Sequence, residues 1–155
     1  MLYGAIFAAA ILHVVEEYFF PGGFTGVMKE FQPEFAPFIT VPFAVIINGL
    51  FLAVCLAAAL FHGRLPWLGL AVAALVGING LMHAGAAIRR KRYAPGVMTG
   101  VLLYLPLCVL ALRNSAAAGL LSLGNSVGAA AIAVGLQLIP IAYLGLERST
   151  RRPWS

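Results

Sequence analysis

The sequence predicts an all-α, polytopic membrane protein: one domain over residues 1–155, a bundle of about five transmembrane helices with the N-terminus outside and the C-terminus cytoplasmic. Three observations carry this expectation. Of 155 residues, 62% are hydrophobic and only 10% charged, with a mean hydropathy of +0.97, whereas soluble domains are about 45–50% apolar and about 25% charged. Five apolar runs approach or exceed the ~20 residues that cross a bilayer as a helix. Lysine and arginine are distributed unevenly over the intervening loops, as topology signals are. The composition excludes a water-soluble enzyme, a disordered tail and a nucleic-acid binder, and the net charge of +5 reads as topology rather than as affinity for a polyanion.

The first run, 2–20, is broken by Pro21-Gly22-Gly23. It has no basic start and ends in Glu16-Glu17 rather than at a small-residue cleavage site, so it is expected to stay as the first helix instead of leaving as a signal peptide. The second, 38–61, stops at His62-Gly63-Arg64, and the third, 66–88, stops at Arg89-Arg90-Lys91-Arg92. The fourth, 96–112, is closed by Arg113-Asn114 and is barely long enough at ~1.5 Å per residue. The fifth, 127–146, is closed by Glu147-Arg148, and 115–126 reads as an interfacial stretch or an early start to that helix. All five must be helical, because the bilayer core offers backbone groups no water to bond. Cys55 and Cys108 sit singly within apolar runs and read as small buried hydrophobes.

With the N-terminus outside, eight cations face the cytoplasm: Lys29, Arg89, Arg90, Lys91, Arg92, Arg148, Arg151 and Arg152. Two, Arg64 and Arg113, face outward. An even number of spans would spoil this split, and Trp67 and Trp154 then fall at opposite interfaces. Ile-Asn-Gly-Leu occurs at 47–50 and again at 78–81. On antiparallel helices this puts Asn48 and Asn79 at one depth.

Polar side chains in a bilayer are costly, ~2.5–3.5 kcal/mol for a central charge on insertion scales, and therefore need reasons. His13, Glu16 and Glu17 stand at i, i+3 and i+4 on one face of the first helix, and Asn79 and His83 at i and i+4 on one face of the third. Both sets fall in the cytoplasmic half. Imidazole and carboxylate suit zinc or non-haem iron, so His13, Glu16, Glu17 and His83 are the candidate metal ligands. A glutamate off the metal would act as general base, with Asn79 and Tyr93 as supporting or oxyanion donors. A metal-free reading also stands: two adjacent glutamates in low dielectric resist ionising together, and one could share proton transfer with an imidazole. The bland reading leaves Glu16 and Glu17 solvated at the interface or paired with the nearby cations.

Lesser features read as follows. Tyr93-Ala94-Pro95-Gly96 is a turn that can aim the Tyr93 hydroxyl back at the helix ends. Glu30 and Glu34 read as solvated loop carboxylates, with a fold over the site as the alternative. Gln137, near Pro140, reads as an interhelical hydrogen bonder, and His62 as unrelated to the site. Gly77-x-x-Gly80 permits close helix contact within or between chains, so a homo-oligomer stays open.

The string His13-Val14-Val15-Glu16-Glu17, the later His83 and the turn Tyr93-Ala94-Pro95-Gly96 together resemble the HXXEE-domain family of small integral-membrane proteins over about residues 2–112. The resemblance selects His13, Glu16, Glu17, His83, Tyr93, Pro95 and Gly96 as signature positions and implies no activity. A looser likeness, at the level of architecture alone, is to five-helix sterol-isomerase-like membrane proteins.

The expectation is thus a metal-dependent enzyme of a bacterial inner membrane, a hydrolase acting on an apolar or lipid-like substrate from the cytoplasmic leaflet. Its cofactor would be a divalent metal ion, zinc ahead of iron, and its partners membrane lipids and that substrate. The alternatives are a metal-free isomerase or cyclase, a transporter or binding protein for a metal or small solute, and a structural subunit.

Overall fold

A computed structural model of the chain describes residues 1–21 and 23–150; Arg151, Arg152 and Trp154, and the inferences drawn from them, lie outside the described residues. Among the described residues, five helices are long and apolar enough to cross a membrane: α1 Leu2–Phe19, α3 Val41–Phe61, α4 Pro66–Arg90, α5 Val97–Ala117 and α6 Leu123–Thr150. A sixth, the short α2 Phe24–Phe31, lies in the segment between α1 and α3 and is followed by a single 3-10 turn, Pro33–Phe35.

Local chemistry sets the ends. Thr40 caps α3, its hydroxyl accepting from the Phe43 amide at 3.3 Å. Pro66 opens α4, where its missing N–H costs nothing. The third span runs two residues beyond the apolar pattern, through Arg89 and Arg90, because cations suit the negative end of a helix dipole. It stops at Lys91 in the left-handed conformation, φ 50°. The fourth span is longer than its apolar run, continuing past Arg113 and Asn114 to Ala117. The 115–126 stretch therefore divides: 115–117 end α5, Gly119 turns the chain at φ 68°, and α6 starts at Leu123.

Within α5, Gly100–Tyr104 form a π-helical turn. It ends two residues before Pro106, whose ring and missing N–H conflict with a regular helix hydrogen bond to the residue 102 carbonyl. Widening by one residue relieves that conflict. A consequence is that the Tyr104 side chain is wholly buried against α1 and α3.

Helix α4 is the hub, packed on α3, α5 and α6, while α1 packs on α3 and α5. The core between them is built of small side chains around a few larger ones: Ala9, Ala10, Ala58, Ala73 and Ala111 with Ile6, Val72, Val76 and Tyr104. In hydrocarbon, helices gain from close packing rather than from escaping water, so small residues let backbones approach. A Cβ on Gly77 would lie 2.6 Å from Cys108 Sγ, and one on Gly80 2.8 Å from the Gly100 carbonyl. The Gly77-x-x-Gly80 pair thus serves the α4–α5 contact within the chain. His62 stands far from the polar cluster, bonding the Ala58 carbonyl at 3.0 Å and packing on Tyr3.

Candidate metal centre

The i, i+3, i+4 face of α1 points inward: His13 is 1% exposed, Glu16 4% and Glu17 2%. Glu17 Oε1 lies 3.6 Å from His13 Nε2 and 3.2 Å from His83 Nε2 on α4. Ligand atoms of these three residues all fall within 4.8 Å of one another. Donors held about 2.0–2.2 Å from a tetrahedral zinc stand about 3.3–3.5 Å apart. The two separations from Glu17 bracket that value, so the trio could hold a small divalent cation.

Glu16 faces elsewhere. Its Oε1 accepts from the Tyr93 hydroxyl at 2.6 Å and the Met98 amide at 3.0 Å. Its Oε2 accepts from the Thr99 amide at 2.8 Å and the Thr99 hydroxyl at 2.6 Å. Four donors suit a group that only accepts, and two of them are backbone amides in the first turn of α5, where a carboxylate is electrostatically favoured. Glu16 therefore ties α1 to the start of α5. Burial and the bond to Glu16 hold the Tyr93 phenol above its ordinary pKa, so it remains a donor.

Thr99 connects the two glutamates through the imidazole. Its hydroxyl proton goes to Glu16, so the same oxygen accepts from His13 Nδ1 at 2.7 Å. That bond places the ring proton on Nδ1 and leaves the Nε2 lone pair free. Nε2 is buried, has no hydrogen-bond partner and faces Glu17. A histidine whose remote nitrogen donates to an oxygen anchored on a carboxylate is the supporting arrangement that metal-ligating imidazoles need.

Gly96 brings the rings together. Its φ is 86°, and a Cβ there would lie 2.6 Å from His83 Cε1 and Nδ1 and 2.7 Å from His13 Cε1. The two rings meet edge-on, centroids 4.7 Å apart, over this bare backbone. Tyr104 closes the other side of His13 at 4.6 Å.

The cluster forms the polar end of a cavity of about 420 Å³ lined from α1, α2, α3, α4 and α6. Most of the wall is apolar, with Gln32, Asn48, Asn79, Arg89 and Gln137 as the polar exceptions beyond the His–Glu group. Asn48 and Asn79 line the same cavity. Gln137 bonds Met82 Sδ of α4 at 3.0 Å, an interhelical contact. Helix α2 covers the cavity with Phe24, Val27, Met28 and Phe31. Glu30 on its other face pairs with Arg90 at 2.8 Å and Arg92 at 2.9 Å, so it points away from the cluster and toward the cations. The hydrogen bond from Arg90 holds the Glu30 carboxyl below the ordinary range. The Arg89 guanidinium lies over the Phe31 ring at 5.1 Å.

Of the residues expected from the sequence, His13, Glu17 and His83 converge on one point, Asn79 lines the same cavity, and Glu16 and Tyr93 bond each other beside it. Thr99, Tyr104 and Gly96 acquire roles that the sequence did not give them. Thr99 had a signal, as the one aliphatic hydroxyl in the fourth apolar run, three residues after a Pro-Gly turn.

No curated protein and no solved structure matches the chain. The family described as "protein of unknown function with HXXEE motif" matches residues 5–111, which contain the whole of the His–Glu–Thr cluster, and the chain belongs to that HXXEE family.

Proposed function

We propose that this is a membrane-embedded, metal-dependent enzyme, a hydrolase of an apolar or lipid-like substrate that it meets in the cytoplasmic leaflet. The observation that carries the reading is the convergence of His13 Nε2, Glu17 Oε1 and His83 Nε2 at the polar end of an otherwise apolar cavity. Three nitrogen and oxygen donors leave a coordination position open, the pattern of catalytic rather than structural zinc, and zinc stands ahead of iron for that reason. When bound, such an ion supplies Lewis-acid polarisation and an acidified water. The protein's own residues do the rest. Thr99 and Glu16 would fix the His13 ring and its tautomer, and Glu17 would present its Oε1 to the cavity as the third ligand atom. The apolar wall holds the chain of the substrate.

The cytoplasmic assignment rests on charge. Lys29, Arg89–Arg92 and Arg148 gather at the end of the bundle that carries the cluster, which the positive-inside rule turns toward the cytoplasm, in a bacterial cell toward the inner face of the inner membrane. A cysteine at Arg64 is then labelled by an impermeant maleimide on intact cells, and one at Arg92 is not.

The test is elemental analysis of untagged protein in detergent beside a His13→Ala/His83→Ala variant. About one zinc per chain, absent from the variant, supports the reading. A folded wild type that binds neither zinc nor iron on titration refutes it, and Glu17 between two imidazoles would then serve metal-free proton transfer.

A further inference from the structure

Five buried side-chain polar atoms lack a hydrogen-bond partner among the described residues: His13 Nε2, Gln32 Oε1, Asn48 Nδ2, Asn79 Oδ1 and Tyr104 Oη. Four of the five belong to residues that line the one cavity at the metal centre. Unpaired buried polar atoms are rare in folded proteins because each forfeits its bonds to water. Their concentration in one cavity suits a ligand that brings the missing partners. A bound metal would account for His13 Nε2, and Gln32 Oε1, Asn48 Nδ2 and Asn79 Oδ1 remain.

Asn48, on α3, is more than nine-tenths buried at 7% exposed, and it presents an unmet amide donor. Asn79, on α4, presents an unmet acceptor. The charged groups of the lining, Glu17 and Arg89, stand on the His83 side of Asn79, Gln32 offers a further unmet acceptor, and Gln137 spends its Nε2 on Met82 Sδ, a weak acceptor. The group that answers both asparagines is neutral and carries a donor and an acceptor together, as an amide or a hydroxyl does. Asn79 lies one helical turn from His83, ~5.4 Å further along α4 and toward the apolar side.

We propose that Asn48 and Asn79 form a polar subsite that binds an amide or hydroxyl group on the otherwise apolar ligand of this cavity, about one helical turn deeper than the metal centre. The proposal rests on the reading of the cavity as the substrate site and is independent of the metal. It makes Asn48 and Asn79 specificity determinants: a ligand lacking the group leaves both amides unpaired and forfeits their net hydrogen-bond energy.

The test compares radiolabelled dodecanamide, 1-dodecanol and dodecane for binding to the full-length protein in nanodiscs, corrected for partition into empty discs. The amide and the alcohol are expected to bind about tenfold more tightly than dodecane, the worth of one or two net hydrogen bonds. In Asn48→Leu/Asn79→Leu the three ligands converge to within about twofold, the apolar affinity being kept. The single leucine variants each lose part of the preference and serve if the double variant does not fold. His13→Ala/His83→Ala keeps the preference, and Asn48→Leu/Asn79→Leu keeps its zinc. No preference in the wild type, or one that survives in the leucine variants, overturns the proposal, the amides then serving bound water. Absence of saturable binding by all three overturns both the subsite and the cavity as substrate site. A wild type that shows the preference but binds no zinc or iron overturns the metal reading alone.

Discussion

Gly96→Ala is the sharpest single test of the site's construction. The residue sits at φ 86°, where an L side chain is strained, at a cost of about 1–2 kcal/mol. Its Cβ would stand 2.6 Å from His83 Cε1 and 2.7 Å from His13 Cε1, against an optimal carbon–carbon separation of about 3.5–4.0 Å. Both rings must therefore retreat by about 1 Å, and overpacking of this kind adds about 1–3 kcal/mol. Together these give a loss of about 2–5 kcal/mol. Metal–ligand distances tolerate only about 0.2 Å, so zinc affinity falls by at least about tenfold. Gly49→Ala, in the middle of α3 with open space at its Cβ, is the control and is expected to be neutral or stabilising by up to about 1 kcal/mol. The measurements are thermal unfolding in detergent with and without chelator, and zinc competition against a chelating dye. A Gly96→Ala protein with the melting temperature and zinc affinity of the wild type would show that the rings do not meet over this residue.

Other expectations follow the same geometry. Thr99→Val removes the oxygen on which His13 Nδ1 rests, and zinc affinity should drop about 10–100-fold; Thr99→Ser should restore most of it in the same competition assay. The two glutamates should separate: Glu17→Gln loses zinc with little change in metal-free stability. Glu16→Gln turns an NH₂ group toward donors and costs about 1–3 kcal/mol of stability, read by melting without metal. At the latch over the cavity, the Glu30 carboxyl is held low by Arg90, so its contribution to holding α2 is complete above the ordinary carboxylate pKa and fades as pH falls through the lowered one. Hydrogen exchange at 24–31 should accelerate at that acid limb in the wild type and already at neutral pH in Glu30→Gln. Exchange independent of both changes would refute the latch.

The fold was legible because a bilayer permits few answers. A run of apolar residues long enough to span must be a helix, and four cations after Ile88 must mark its end. The errors were at the ends, where arginine and asparagine at 113 and 114 extend a helix that hydropathy alone would stop. Helix α2 was readable and missed: Phe24, Val27, Met28 and Phe31 recur at i, i+3, i+4 and i+7, an amphipathic pattern hidden by its shortness and its glycines. The site was legible one helix at a time. Spacing within α1 and within α4 selected His13, Glu17, Asn79 and His83, because neighbours on a helix face are fixed by the period. Glu16's partners were not legible, since its bonds to Thr99 and Met98 span more than 80 residues of sequence and exist only once α5 has docked.

On the proposed metal-site reading, that division gives each glutamate of the motif its own task. At about 100° per residue, a position three along lies about 60° to one side of the first and a position four along about 40° to the other. His13 thus projects between Glu16 and Glu17. An imidazole has two nitrogens with opposite needs when it binds a metal: one must give its proton to an acceptor so that the other can offer a lone pair. Glu16, through the Thr99 hydroxyl, supplies the acceptor on the Nδ1 side. Glu17 stands on the Nε2 side beside His83. Either glutamate alone would leave one nitrogen of His13 without its counterpart, either a mobile ring facing a complete ligand set or a fixed ring facing an incomplete one.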